Sequence, residues 1–214
     1  MEVKGIIFDC DGVLVDTEKI GNGILLEMAA EHGFEMEIED AYRNFNGRNL
    51  KDCFRHIEEA IDQKLPESFE TEYRQRSFEA FKTQVKPMKG VVSFIEKLKI
   101  PYCVASSGPV EKIRLNLEVA GLLDKFENKI FSSYQISSWK PDPGIFLFAA
   151  KEMGFDVKEC VVLEDSKAGV KAGIQGGFKV YGFANGYNNA DLEEEGAALF
   201  HSYEELSEML NFRF

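Results

Sequence analysis

Two carboxylates, Asp9 and Asp11, stand two residues apart at the end of the apolar run Gly5-Ile6-Ile7-Phe8, and Gly12 follows them. Buried strands seldom finish in paired acids, because an unpaired buried charge is costly. A shared cation removes that cost, and Mg²⁺ prefers oxygen ligands of this kind. The pair therefore suggests a metal-assisted active site at the carboxyl end of a strand. Three further clusters could serve the same chemistry. Ser106-Ser107-Gly108 offers hydroxyls and backbone amides to an anion. Lys140, ahead of Pro141-Asp142-Pro143-Gly144, offers a fixed cation, and Glu164-Asp165-Ser166 offers more carboxylates. Taken singly, each has an ordinary reading: a turn or weak calcium loop, a helix cap, a solvated lysine, a helix N-terminus. All four in order, each at a strand end, are much harder to obtain by chance.

The elements that must position these clusters alternate along the chain. Val3–Phe8, Tyr102–Ala105, Lys129–Phe131, Cys160–Leu163 and Lys179–Phe183 read as strands. Between and after them, Val91–Leu98, Pro109–Ala120, Pro143–Met153, Ser166–Gln175 and Tyr203–Leu210 read as helices. Such alternation implies a parallel sheet with right-handed crossovers. One stretch breaks the pattern. Residues 17–32, Ile38–Phe45, Leu50–Ile61 and Pro66–Val85 carry only helical signals, with Thr17 as N-cap and Pro66 in a first turn. The expected fold is α/β: a Rossmann-like parallel-sheet core, residues 1–15 plus 88–214, with a helical cap, residues 16–87, inserted after the first strand. Hinges are expected near Val15–Thr17 and Lys86–Gly90. In a doubly wound sheet, ligands bind beyond the carboxyl ends of the strands, where the four clusters lie.

Composition narrows the function. The chain has 214 residues, 25 basic and 37 acidic, for a net charge of 25 − 37 = −12. That excess disfavours a nucleic-acid backbone or an anionic membrane as partner. No apolar run reaches the ~18–20 residues of a membrane span. The start runs straight into a strand without the regions of a signal peptide. Cys10, Cys53, Cys103 and Cys160 lack metal-ligand spacing and are expected as reduced thiols of a cytoplasmic monomer. Strand alternation turns Cys10 away from its two acidic neighbours. Arg74 and Arg76 read as solvated helix charges, Asn185-Gly186-Tyr187-Asn188-Asn189 reads as a structural polar loop, and the three histidines receive no role.

The segments Phe8-Asp9-Cys10-Asp11-Gly12-Val13-Leu14-Val15-Asp16-Thr17-Glu18, Val104-Ala105-Ser106-Ser107-Gly108, Trp139-Lys140-Pro141-Asp142-Pro143 and Leu163-Glu164-Asp165-Ser166-Lys167-Ala168-Gly169 resemble the four motifs of the haloacid dehalogenase-like hydrolases. The resemblance covers essentially the whole chain, and the helical block is similar to the small cap of β-phosphoglucomutase-like phosphatases. It implies an aspartyl-phosphate mechanism. Asp9 would be the nucleophile and Asp11 the acid and base. Mg²⁺ would be held by Asp9, the Asp11 carbonyl and Asp165, assisted by Glu164. Ser106, Ser107 and Gly108 would bind phosphate, and Lys140 would add positive charge. Arg48 would contact a second anionic group of the substrate. An acid at position 11 implies phosphoryl transfer rather than dehalogenation. The mutases resembled carry a histidine twelve residues after the nucleophile, where this chain has Gly21, and a cap-loop lysine where it has Asn44. Hydrolysis of a small phosphorylated metabolite, such as 6-phosphogluconate, is therefore expected. The alternatives are a β-phosphoglucomutase-like transferase, an inorganic pyrophosphatase, or a silent binding module.

Overall fold

The computed structural model describes residues 3–45 and 50–211. Arg48 lies outside them. The first strand is β1 (Gly5–Phe8), followed by the two-residue strand β2 (Val15–Asp16). Four helices follow: α1 (Glu18–Ala30), α2 (Ile38–Phe45), α3 (Leu50–Ile61) and α4 (Phe69–Gln84). The chain returns through β3 (Lys86–Pro87) to α5 (Val91–Lys97) and β4 (Tyr102–Ser106). Next come α6 (Val110–Val119), α7 (Leu123–Phe126), β5 (Ile130–Ser132), α8 (Ser133–Ile136) and α9 (Gly144–Met153). The last part is β6 (Cys160–Glu164), α10 (Lys167–Gln175), β7 (Lys179–Phe183), α11 (Asn189–Glu194), β8 (Ala198–Phe200) and α12 (Tyr203–Met209).

Six strands form one parallel sheet in the order β5-β4-β1-β6-β7-β8. β1 is central and covered on both faces, so all four of its residues are buried and no polar alternation shows in the sequence. Its pleat still divides the core. Ile6 and Phe8 pack with α5, α6, α7 and α12, through residues such as Phe94, Leu117, Phe126 and Leu206. Ile7 packs on the other side, with Phe146 of α9 and Val170 of α10. The strand order reverses at β1, and β4, β1 and β6 finish side by side. Ligand crevices form at such a switch point.

Helices α1 to α4 carry their own apolar cluster, with Leu25, Met28, Phe45, Ile57 and Phe69 at its centre. Where this block leaves and rejoins the sheet, β2 and β3 pair antiparallel, Val15 against Pro87 and Asp16 against Lys86. The sequence reading missed this ribbon, because two residues carry no periodicity. It placed Pro66 in the first turn of α4, whereas the helix begins at Phe69, whose amide donates to the Pro66 carbonyl. It also missed α7, α8, α11 and β8, each of six residues or fewer. All four cysteines are free and buried. No helix among the described residues is long and apolar enough to cross a membrane.

Candidate active site

Asp9 follows the last residue of β1, and its amide donates to the carbonyl of Leu163 in β6. The chain then turns tightly. Leu14 and Val15 amides donate to the Cys10 carbonyl, and the Gly12 amide donates to the Val15 carbonyl. Gly12 adopts φ = 76°, a left-handed conformation that favours glycine, and a Cβ there would overlap the Asp165 carboxylate. Tyr203 of α12 fixes the same turn: its buried hydroxyl donates to the Val13 carbonyl at 2.7 Å.

Lys140 is the hinge pin of the charge network. Its ammonium contacts Asp9 Oδ1 and stands 2.6 Å from Glu164 Oε1. The side chains of Lys140 and Glu164 are only 6% and 1% exposed, so this pairing takes place out of water. The other oxygen of Glu164 accepts from the amides of Asp165 and Ser166 and from the Ser166 hydroxyl, at 2.8–2.9 Å. Glu164 thus anchors the cation and the start of α10 together. Gly169 makes room for it, because a Cβ there would overlap the Glu164 carboxyl.

Gly169→Ala therefore tests that anchor. Helix propensity alone would favour alanine by roughly 1 kcal/mol, but forcing Glu164 off four hydrogen bonds costs about 1–3 kcal/mol. The expected result is a net loss of thermal stability together with a loss of turnover, read by melting curves and steady-state kinetics. A variant more stable than the parent and equally active would contradict the anchoring role.

Asp11 faces a different environment. Lys112 Nζ lies 2.8 Å from Oδ2, while the Thr17 hydroxyl and the Asn116 amide donate to Oδ1 at 2.7 and 3.1 Å. Burial alone would raise the Asp11 pKa, but Lys112 and Thr17 hold it below the usual carboxylate range. Asp9 goes the other way, pushed up to about 7 by burial and by Glu164 and Asp11, against the pull of Lys140. Two acids two residues apart thus sit in different surroundings, Asp9 against Lys140 and Asp11 against Lys112, Thr17 and Asn116.

Of the residues expected from sequence, Ser106 is buried at the end of β4, next to β1, and its hydroxyl accepts from the Gly108 amide at 3.1 Å. The Gly108 carbonyl in turn accepts from the Ser132 hydroxyl at 2.6 Å, which fixes the loop containing Ser107. Asp9, Asp11, Lys140, Glu164 and Asp165 come together, and Asp11, Lys112 and Thr17 share a cavity of about 270 Å³ with Gly21, Asn22 and Tyr73. Thr17, expected as a helix cap, makes no capping bond and serves Asp11 instead.

Lys112, Asn116, Glu18 and Asn188 were missed. Lys112 and Asn116 are one turn apart on α6, on the side that buries Ile113 and Leu117. Two polar residues on a buried stripe were the available signal. Glu18 is pushed up to about 7 by burial and by Asp11 and Asp16. With Asp165, Tyr42 and Tyr187 it lines a second cavity of about 350 Å³. Asn188 donates to the carbonyls of Asp165 and Phe183 at 2.8 and 3.0 Å, so the polar loop expected to be structural also holds the site.

Among the described residues, no three His, Cys, Asp or Glu side chains form a metal-holding set. The expected donors were the carboxylates of Asp9 and Asp165 and the Asp11 carbonyl, with Glu164 assisting. Both Glu164 oxygens are instead engaged, one by Lys140 and the other by Asp165 and Ser166. Their electrostatics fit a hard cation. Burial, Glu18, Glu164 and Asp9 drive the Asp165 carboxyl well above its usual range, with Lys140 opposing. Such a surplus of buried oxygen donors is relieved by a divalent ion.

The chain also matches known proteins. Residues 6–183 match the family model described as haloacid dehalogenase-like hydrolase. The 6-phosphogluconate phosphatase of Escherichia coli (strain K12) is 30% identical over 213 residues, covering 99% of this chain and 96% of that protein. A haloacid dehalogenase-like protein of unknown function from Agrobacterium tumefaciens superposes with a TM-score of 0.92 at 27% identity, covering 98% of each chain. A HAD family hydrolase from Deinococcus radiodurans, solved with bound phosphate and sodium, superposes at 0.86 with 27% identity, covering 97% of this chain and 95% of that one. With its four motifs converging beyond the ends of β4, β1 and β6, the chain belongs to the haloacid dehalogenase-like hydrolases.

Proposed function

We propose that the protein is a Mg²⁺-dependent phosphatase of small sugar or sugar-acid phosphates, acting through an aspartyl phosphate on Asp9. The observation that carries this is the opposed pair: Asp9 against Lys140, and Asp11 against Lys112, Thr17 and Asn116. The named phosphatase relative supports the substrate class. Asp9, Asp165 and the Asp11 carbonyl would hold the metal, which supplies positive charge to the transferring phosphoryl group.

The chain's own residues do the rest. Lys140 keeps the Asp9 carboxylate aimed and adds charge opposite the incoming oxygens. Ser106 and the amides of Ser107 and Gly108 receive phosphate oxygens. A dianionic phosphate beside Asp11 favours its protonated form. Asp11 then gives that proton to the leaving alcohol and later takes one from the water that cleaves the acyl phosphate. Glu164 acts by holding Lys140 and the start of α10. Residues 16–87 act as a cap over this site, and residues 1–15 with 88–214 as the catalytic core. The four buried free thiols fit a reducing compartment.

A mutase is disfavoured by the cap. A Cβ at Gly21 would lie 3.0 Å from the Tyr73 hydroxyl, so that space is already filled. Asn44 donates to the Asp40 carbonyl of its own helix at 2.7 Å. The test is phosphate release from sugar phosphates, sugar-acid phosphates, nucleotides and pyrophosphate with Mg²⁺. Release from at least one sugar or sugar-acid phosphate is expected, lost in EDTA and restored by Mg²⁺. Full activity in EDTA would remove the metal from the account. Conversion of β-glucose 1-phosphate to glucose 6-phosphate without phosphate release would establish a mutase instead.

A further inference from the structure

The cavity beside Asp11 has a composition that bears on what the leaving group looks like. It holds about 270 Å³, at the small end for ligand pockets, so it suits a short chain rather than a nucleotide. One wall is apolar: Leu25, Phe45, Leu50 and Phe81. The polar groups are confined to Thr17, Asn22, Tyr73, Lys112 and the acids Asp11 and Glu18. Thr17 and Lys112 are already bound to Asp11.

Tyr73 is set up differently. It lies on α4, and its ring packs edge-on against Phe54, with centroids 6.2 Å apart. Phe54 in turn packs edge-on against Phe69 in the centre of the helical block. The phenol is therefore held in place by a rigid aromatic row. Its oxygen stands over Gly21 of α1, 3.0 Å from the position a Cβ would take. Glycine in the interior of α1 costs roughly 0.5–1 kcal/mol relative to alanine, and here it leaves the phenol free to stand over the cavity wall. Burial raises the Tyr73 pKa, which keeps the group a donor. The hydroxyl of Ser77, buried one turn along α4, bonds toward the same phenol oxygen and opposes part of that rise, leaving the phenol proton to be donated.

We propose that Tyr73 is a specificity-determining residue that hydrogen-bonds a hydroxyl of the substrate's carbon chain, and that Gly21 is a positioning residue kept bare so that the phenol can reach it. This rests on the phosphatase reading of the site. A polyhydroxylated chain offers the phenol proton an acceptor, whereas a hydrocarbon chain of equal length offers none. Sites built to hydrogen-bond a substrate hydroxyl reject analogues that lack it. The substrate class is thus a phosphate monoester of a short polyol or sugar acid, discriminated against the corresponding alkyl phosphate.

The experiment compares sorbitol 6-phosphate and 6-phosphogluconate with n-hexyl phosphate. In Tyr73→Phe, the preference in kcat/KM for a hydroxylated substrate is expected to fall about tenfold, mainly through KM. Gly21→Ala should cause a similar fall by displacing the phenol, and should add nothing in the Tyr73→Phe background. Equal losses on hydroxylated and alkyl substrates, or a Gly21→Ala effect that persists without the phenol, would overturn the proposal. Calorimetric binding of 6-phosphogluconate to Asp9→Asn protein, with and without Tyr73→Phe, separates the two claims. A tenfold weaker binding supports Tyr73 even if turnover is absent. Unchanged binding overturns Tyr73 even if phosphate is released.

Discussion

Asp9→Asn is expected to leave a folded protein whose phosphate release has dropped by on the order of 10⁴-fold or more, the scale seen when a covalent nucleophile is removed. The amide cannot form an acyl phosphate. The same change should not harm the fold. Burial already pushes the Asp9 carboxyl up to about 7, so the charged form is a strained guest in its site. A neutral amide of equal size relieves that strain, while Lys140 keeps Glu164 as its partner at 2.6 Å. Melting temperature should hold or rise. Steady-state kinetics and a melting curve on the same preparation check both halves, and retained turnover would contradict the role of Asp9.

Lys140→Met should have the opposite signature, losing activity and stability together. Methionine fills the space but leaves the Asp9 and Glu164 carboxylates buried without a cation. Breaking a buried pair in this way costs about 3–5 kcal/mol, and loss of a positioned transition-state charge costs about 10²–10³ in kcat. The stability loss should depend on pH when measured in EDTA. Asp9 has a folded pKa near 7 in the parent, above the ordinary carboxylate value, and loss of Lys140 pushes it further up. An acid raised on folding destabilises the native state when ionised. Because Asp9 is protonated in both folded proteins below about pH 7, its share of the variant's deficit appears above that pH and grows up to the variant's own higher folded pKa. Urea titrations at several pH values should show the variant recovering toward the parent as pH falls. A pH-independent difference would mean that the uncovered carboxylates are not the cause.

Much of the sheet was legible because its buried strands are short apolar runs between glycine, proline and helix caps, and because each functional cluster sits where such a run stops. Asp9, Ser106 and Glu164 declared themselves by polarity at an apolar boundary. The helical block was legible because its stretches carry only helical signals and no strand-like apolar run interrupts them. What was not legible depends on distance along the chain. Lys112 reaches Asp11 across 101 residues, and Lys140 reaches Asp9 across 131. Lys140 was found only because a local motif marks it. Lys112 has no such mark beyond sharing a buried stripe with Asn116. Thr17 looked like a cap because threonine before a helix commonly is one, and only the turn at Gly12 brings Asp11 within reach of its hydroxyl. Glu18 has the ordinary position of an acid in a first helical turn, and its burial over the other carboxylates is a tertiary fact. The place of Tyr73 over Gly21 is equally tertiary, since α1 and α4 meet only when the helical block packs.

The measurement that tests the central claim most directly is to trap the covalent intermediate. The protein would be quenched in acid during turnover of 6-phosphogluconate with Mg²⁺, treated with borohydride and analysed by peptide mass spectrometry. An acyl phosphate is reduced to an alcohol, so the account predicts homoserine at position 9 and nowhere else, and none in Asp9→Asn. Modification at another carboxylate, or phosphate release with no reducible intermediate at Asp9, would contradict it.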